Sequence, residues 1–209
     1  MITTQNIAFA YDSKAAFRFP NLVCGGGETL LVTGASGTGK TTFLHVLAGL
    51  LPPAEGVVSI GNTDITKLSG RALDHFRGRH IGIVFQQAHF VAALSVLDNL
   101  VLAGWLSSGK QNVARAKRLL AQLGLENQLD KKPAQLSIGQ QQRASIARAL
   151  MNDPELLLAD EPTSSLDDVN AHIVADLLQT QAKEVGAALI VVTHDQRLKQ
   201  FFTQSLDLT

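Results

Sequence analysis

Four stretches of the chain are apolar almost without interruption: residues 29–33, 81–85, 156–159 and 188–193. A strand with apolar side chains on both faces needs cover on both, so these runs predict a parallel sheet with helices on each side. Two other stretches, 6–11 and 57–60, alternate more between apolar and polar positions, as strands of a half-exposed antiparallel sheet do. Helical spacing covers 41–51, then 113–123 with apolar residues at Val113, Ala116, Leu119, Leu120 and Leu123, then 169–185. The last two run into Gly124 and Gly186, residues suited to the left-handed turn that closes a helix. Between the runs at 81–85 and 156–159 lies a segment, 87–150, too long for a loop. The pattern predicts an α/β fold with a mostly parallel sheet, an antiparallel β flank and a helical subdomain over 87–150. A single domain, 1–209, is expected, its core drawn from 1–86 and 151–209.

A chain of 209 residues buries enough surface for one main core. Its 18 Lys and Arg offset 18 Asp and Glu, so there is no global positive field of the kind that holds nucleic acid, and no nucleic-acid partner is expected. Cys24 is the only cysteine. With no second thiol it makes neither an internal disulfide nor a thiolate zinc site, and it reads as a small core residue in a reducing compartment. Residues 1–11 lack the basic start and apolar stretch of a signal peptide, and the most apolar segment, 91–106, is interrupted by Asp98 and Asn99. A soluble chain is expected.

Three motifs carry chemistry. Gly34-Ala35-Ser36-Gly37-Thr38-Gly39-Lys40-Thr41 follows one apolar run and opens a helical stretch. Glycines at this spacing let a loop curl until successive N–H groups point at phosphate oxygens, and the positive end of the following helix adds to them. Lys40 then reaches the β- and γ-phosphates and the Thr41 hydroxyl ligates Mg²⁺, so ATP and Mg²⁺ are the expected ligands of a P-loop NTPase core. Leu156-Leu157-Leu158-Ala159-Asp160-Glu161 is an apolar strand ending in two acids. Ligands gather at the carboxyl ends of parallel strands, which puts both acids beside the P-loop: Asp160 for the Mg²⁺ shell and Glu161 as general base, a role worth about 10²- to 10⁴-fold. Leu136-Ser137-Ile138-Gly139-Gln140-Gln141-Gln142-Arg143 precedes a helical stretch, 144–151, with Ser137 placed as its N-cap. It is a second helix start able to meet a phosphate, through the Ser137 hydroxyl and the Gly139 N–H.

The third motif resembles the signature of the ABC ATPases, and with it the resemblance covers nearly the whole chain. It implies ATP hydrolysis by a homodimer in the ATP-bound state, because the signature segment of that family faces the P-loop of a second subunit. Carried over position by position, the resemblance implies ATP contacts from Tyr11, stacked on adenine, and from Gly34, Ala35, Ser36, Gly37, Thr38, Gly39, Lys40, Thr41 and Thr42. Across the dimer it implies contacts from Ser137, Gly139 and Gln140. Gln86, rather than its neighbour Gln87, matches a glutamine that senses Mg²⁺ and the γ-phosphate, His194 a switch histidine at the γ-phosphate, and Ser165-Leu166-Asp167 a segment that crosses the dimer interface. The implied catalytic set is Glu161, His194, Gln86 and Lys40; the implied metal set is Thr41, Gln86 and Asp160. Ile138 departs from the family's usual glycine, but the phosphate-facing pair Ser137 and Gly139 is retained, so both sites of a homodimer are expected to be competent.

Asp74-His75-Phe76-Arg77 and Val96-Leu97-Asp98-Asn99-Leu100 look like the ATPases of lipoprotein-release, macrolide-export and cell-division systems. That similarity implies separately encoded integral membrane permease subunits and a cytoplasmic ATPase peripheral on the inner membrane. Residues 88–105 are then either its docking surface or filling for the helical subdomain. Two rival readings remain: an ATPase that gates an envelope enzyme through a membrane partner without transport, and an ABC ATPase acting on DNA or ribosomes. The second would want a long coiled-coil insertion or tandem ATPase domains, and neither is present. A nucleotide kinase has no use for residues 136–142.

Overall fold

The computed structural model describes residues 1–11 and 16–208. In chain order its elements are β1 (Ile2–Ala10), β2 (Ala16–Arg18), β3 (Val23–Cys24), β4 (Thr29–Gly34), α1 (Lys40–Leu47), β5 (Glu55–Ile60), β6 (Thr63–Asp64), α2 (Gly70–His80) and β7 (Ile81–Val84). There follow α3 (Val96–Ser108), α4 (Val113–Gln122), α5 (Ile138–Ala149), β8 (Leu156–Asp160), α6 (Asp168–Val185), β9 (Ala188–Val192) and β10 (Gln204–Leu208). Strands β10, β4, β9, β8 and β7, in that order, make one parallel sheet. β1 pairs antiparallel with β2, β3 and β5, and β5 with β6, forming the flank that the alternating runs predict.

The apolar strands are apolar because alternate residues serve opposite faces. Leu30, Val32, Leu156, Leu158, Ile190 and Val192 pack with Phe43, Leu44 and Leu47 of α1 and with Ile2, Ile7 and Ile60 of the flank. Their neighbours Leu31, Leu157, Ala159, Leu189 and Val191 pack with Leu100, Leu120, Ile146 and Leu178 of the helices on the other side. The expected single core is therefore two, divided by the sheet. Cys24 lies fully buried in the first, as a core residue should.

Helix ends follow local chemistry. The Ser137 hydroxyl accepts from Gln140 N–H (3.3 Å) while the Gln140 side-chain oxygen accepts from Ser137 N–H (3.0 Å), a reciprocal cap at the start of α5. Asp167 caps α6 by accepting from Asn170 N–H (2.9 Å), which holds its carboxyl below the ordinary carboxylate range. That helix ends at Gly186 with φ +70, where a side chain would be strained.

The short strands β2, β3 and β6 escaped the periodicity, and so did three longer elements. α2 meets the core only through the partly buried Leu73 and Phe76, too short a stripe to read. α3 has the opposite difficulty: apolar residues lie nearly all round it, and only the Ser95 cap, accepting from Asp98 N–H (3.0 Å), marks its start. β10 is a sheet-edge strand with its first two residues exposed. Within 88–105, Val96 and Leu100 fill the core, whereas Val91 and Trp105 are about half exposed. Part of the segment thus fills the core and part is exposed. Among the described residues no helix is long and apolar enough to cross a membrane.

Candidate active site

The loop from β4 into α1 has the strand, loop and helix order that its glycines require. Gly39, the residue before α1, has φ +88, and a Cβ there would lie 2.8 Å from the Phe17 ring. Only glycine meets both demands. Lys40, 8 % exposed, folds back on the loop and donates to the carbonyls of Gly34 (2.8 Å) and Ala35 (2.9 Å). The Thr38 hydroxyl donates to the Ala35 carbonyl (3.0 Å). Gly34 and Ala35 thus shape the loop through their carbonyls, and Thr38 through its hydroxyl.

A cavity of about 510 Å³ opens above the loop, and its wall includes Ser36, Gly37, Gly39, Lys40, Thr41, Thr42, Gln86, Glu161 and His194. Four separate chain segments supply these residues. Asp160, 6 % exposed, ends β8 behind the wall, where its carboxylate accepts from the Thr41 hydroxyl (3.2 Å). Burial raises the Asp160 pKa, and the Thr41 hydrogen bond opposes the rise. Glu161 follows with φ +46, a left-handed conformation rare for a side chain of this size. Its carboxylate accepts from the Thr193 hydroxyl (2.7 Å) and His194 N–H (3.1 Å), and His194 Nδ1 lies 2.7 Å away. The register Asp160 to Val192 between β8 and β9 is what brings Glu161 and His194 together. Gln86, beyond the end of β7, donates to the Ser164 hydroxyl (3.3 Å), which donates to the Glu161 carbonyl (3.1 Å).

Ser137, Gly139 and Gln140 are not in this wall. They begin α5, and a second cavity of about 480 Å³, lined among others by Ile138, Gln141 and Ser164, meets the first at Gln86 and Glu161. Ile138 is 60 % exposed at that helix start, so its branched side chain has room. Tyr11 stands beside the first cavity: its hydroxyl pairs with that of Thr42 (2.9 Å) and its ring meets Phe9 edge-on.

Two features of the site have no motif. Phe17 forms the aromatic part of the described wall. It gets there because β2 pairs with β1 in the register Phe9 to Phe17. Arg197 joins the stretch after Glu161 to the residues after His194: it donates to the Leu166 carbonyl (3.3 Å), to Asp168 (2.6 Å) and to Asp195 (2.7 Å), which also accepts from the Thr163 hydroxyl (2.7 Å). Arg197 beside it holds the Asp195 carboxyl down at about 2. Only the run of polar residues after His194 hinted at this network.

Comparison with known proteins identifies the family. The chain is 40 % identical over 190 residues to the lipoprotein-releasing system ATP-binding protein LolD of Geobacter metallireducens, covering 90 % of this chain and 84 % of that one. It is 44 % identical over 185 residues to a putative hemin import ATP-binding protein, HrtA, of Staphylococcus epidermidis, covering 87 % and 82 %. A bacterial ABC transporter cassette solved as a dimer superposes with a TM-score of 0.88 at 35 % identity, covering 100 % of this chain and 94 % of that one. The same cassette has been solved as a dimer after hydrolysis, bound to ADP and Pi. The sequence profile of the ABC transporter family matches residues 19–164; the chain belongs to the ABC transporter family, as one of its ATP-hydrolysing subunits.

Proposed function

We propose that the chain powers a separately encoded membrane permease, works as a homodimer that closes on ATP, and sits peripherally on the cytoplasmic face of the inner membrane, in a system of the export or lipoprotein-release kind. One observation carries the dimer. A single cavity collects Lys40, Thr41, Gln86, Glu161 and His194, while Ser137, Gly139 and Gln140 lie outside its wall at the start of α5. A second copy of the chain supplies them. The solved dimer of a cassette 35 % identical to this chain supports that arrangement, and the lipoprotein-releasing relative supports the kind of system.

The chemistry follows from the parts. The loop N–H groups and Lys40 bind the phosphates, with phosphate oxygens replacing the Gly34 and Ala35 carbonyls as partners of the ammonium. Thr41 and the buried Asp160 carboxylate offer adjacent hard oxygens, and Gln86 an amide oxygen, a donor set that suits Mg²⁺. Waters and phosphate oxygens would complete the coordination of such a cation. When bound, Mg²⁺ neutralises charge on the phosphates. Glu161 takes a proton from the attacking water, its carboxylate oriented by Thr193 and His194. The second ring nitrogen of His194 is left for the γ-phosphate. Ser137 and Gly139 of the partner subunit close on the same phosphate, and hydrolysis releases them.

Replacing Glu161 by Gln keeps the shape and removes the base. The variant is expected to bind ATP, to elute as a dimer in its presence, and to lose turnover by at least about 10²-fold. Wild-type turnover in Glu161→Gln would remove the general-base role. For the partner, affinity purification of the chain from detergent-solubilised membranes is expected to return an integral membrane protein; recovery in the soluble fraction alone would end the permease reading.

A further inference from the structure

The loop after Gln86 is tied to α5 by one side chain. Arg148, in the last turn of α5, donates from Nη1 to the His89 carbonyl (2.8 Å) and from Nη2 to the Ala88 carbonyl (2.7 Å). Its guanidinium carbon lies 4.8 Å from the centre of the Phe90 ring. Two adjacent carbonyls and an aromatic face suit a planar, rigid fork and do not suit an ammonium. Among the described residues no carboxylate lies within ion-pair distance of Arg148, so this half-buried cation serves backbone and ring rather than an acid.

The segment it holds does not take up its conformation unaided. His89 has φ +40, in the left-handed region, and such a residue persists where its surroundings enforce it. Farther along, Asn99 of α3 accepts from Val91 N–H (2.9 Å) and donates to the carbonyls of Val91 (3.2 Å) and Ser95 (2.9 Å). These anchors come from α3 and α5, and Lys132 adds one to the Ala93 carbonyl, so residues 88–95 are fastened to the part of the chain between β7 and β8. Gln86 is different: it lines the nucleotide cavity and bonds to Ser164. The junction between the two regimes falls at Gln86 and Gln87.

We propose that Arg148 is a positioning residue for ATP hydrolysis: it clamps the backbone of Ala88 and His89 to α5, so that Gln86 enters the nucleotide cavity at a place set by the helix whose other end carries Ser137. α5 is a rigid rod, and from Ile138 to Arg148 it spans about 15 Å. A load taken up at the Ser137 end by the partner's nucleotide reaches Gln86 through the Arg148 fork. This inference rests on the role given above to Gln86.

Steady-state ATPase kinetics of the purified chain test it. Arg148→Lys keeps the charge and loses the fork; it is expected to leave KM for ATP within about twofold and to lower kcat about tenfold, since a small misplacement of a positioned group costs one to two orders of magnitude. Gln86→Ala lowers kcat by itself. Because residues that act as a unit are not additive, adding Arg148→Lys to Gln86→Ala is expected to change kcat by less than about twofold. Arg148→Ala provides a second variant, and Arg148→Lys carries the test if Arg148→Ala does not fold. A tenfold loss that persists in the Gln86→Ala background, a loss confined to KM, or wild-type kcat in Arg148→Lys overturns the inference. Wild-type kcat in Gln86→Ala alone would instead overturn the role of Gln86, and the inference with it; the two failures are told apart by that single variant.

Discussion

Removing the Asp195 carboxylate should cost stability in a way that depends on pH. Asp195 accepts from the Thr163 hydroxyl (2.7 Å), Arg197 N–H (3.0 Å), Arg197 Nε (2.9 Å) and Arg197 Nη2 (2.7 Å). The Arg197 side chain contributes most to holding its pKa at about 2 rather than the ordinary 3.8, and burial opposes it. At 1.36 kcal/mol per pKa unit, that difference is about 2.4 kcal/mol in favour of the folded state. The Arg197 side chain is 33 % exposed, and solvent screening brings the expected cost of Asp195→Asn to about 1–2 kcal/mol. The sign is that of a carboxyl whose folded pKa is depressed. The stabilisation is complete above the unfolded pKa of 3.8 and is lost as pH falls through about 2. At pH 3 roughly half remains. Urea unfolding of both proteins at pH 7 and pH 3 measures the gap. A gap at pH 7 below about 0.5 kcal/mol, or one that does not narrow at pH 3, would refute the ion-pair account.

Lys40→Ala should weaken ATP binding by about 10- to 100-fold, the worth of one charge-assisted contact to phosphate; calorimetric titration with ATP reads it directly. Gly39→Ala must hold a side chain at φ +88 with its Cβ 2.8 Å from the Phe17 ring; a loss of about 1–3 kcal/mol is expected in urea unfolding, and an unchanged midpoint would contradict the strain. The Cys24 thiol, pushed up to about 11 by burial, should be about 0.1 % ionised at pH 8 and react with a disulfide reagent only on unfolding. Fast labelling of the native chain would show the site to be open.

The parallel strands β4, β7, β8 and β9 were readable because burial on both faces leaves an unbroken apolar run. α4 and α6 were readable from their stripes and the glycines after them. The P-loop, the acids at 160 and 161 and the Ser137 cap were legible too, since each is a local arrangement of a few consecutive residues. α2 was not: its two core contacts, Leu73 and Phe76, are too few to set a period. α3 was not: a helix apolar nearly all round has no period.

The sequence alone determines the proposed nucleotide chemistry, because the glycine-rich loop, Lys40 and the helix start that follows are contiguous in sequence and depend on backbone geometry that glycine spacing dictates. What it does not determine is which distant side chains meet. Glu161 reaches His194 through the register of two strands, Phe17 reaches Gly39 through the pairing of β1 with β2, and Arg197 and Arg148 reach carbonyls 31 and 60 residues away. Strand register and helix docking are settled by packing between segments remote along the chain, where spacing within any one segment carries no information. That is why the loop and its acids were legible locally, while the contacts that join distant segments, those of Thr193, Arg197 and Arg148, appeared only in the folded molecule.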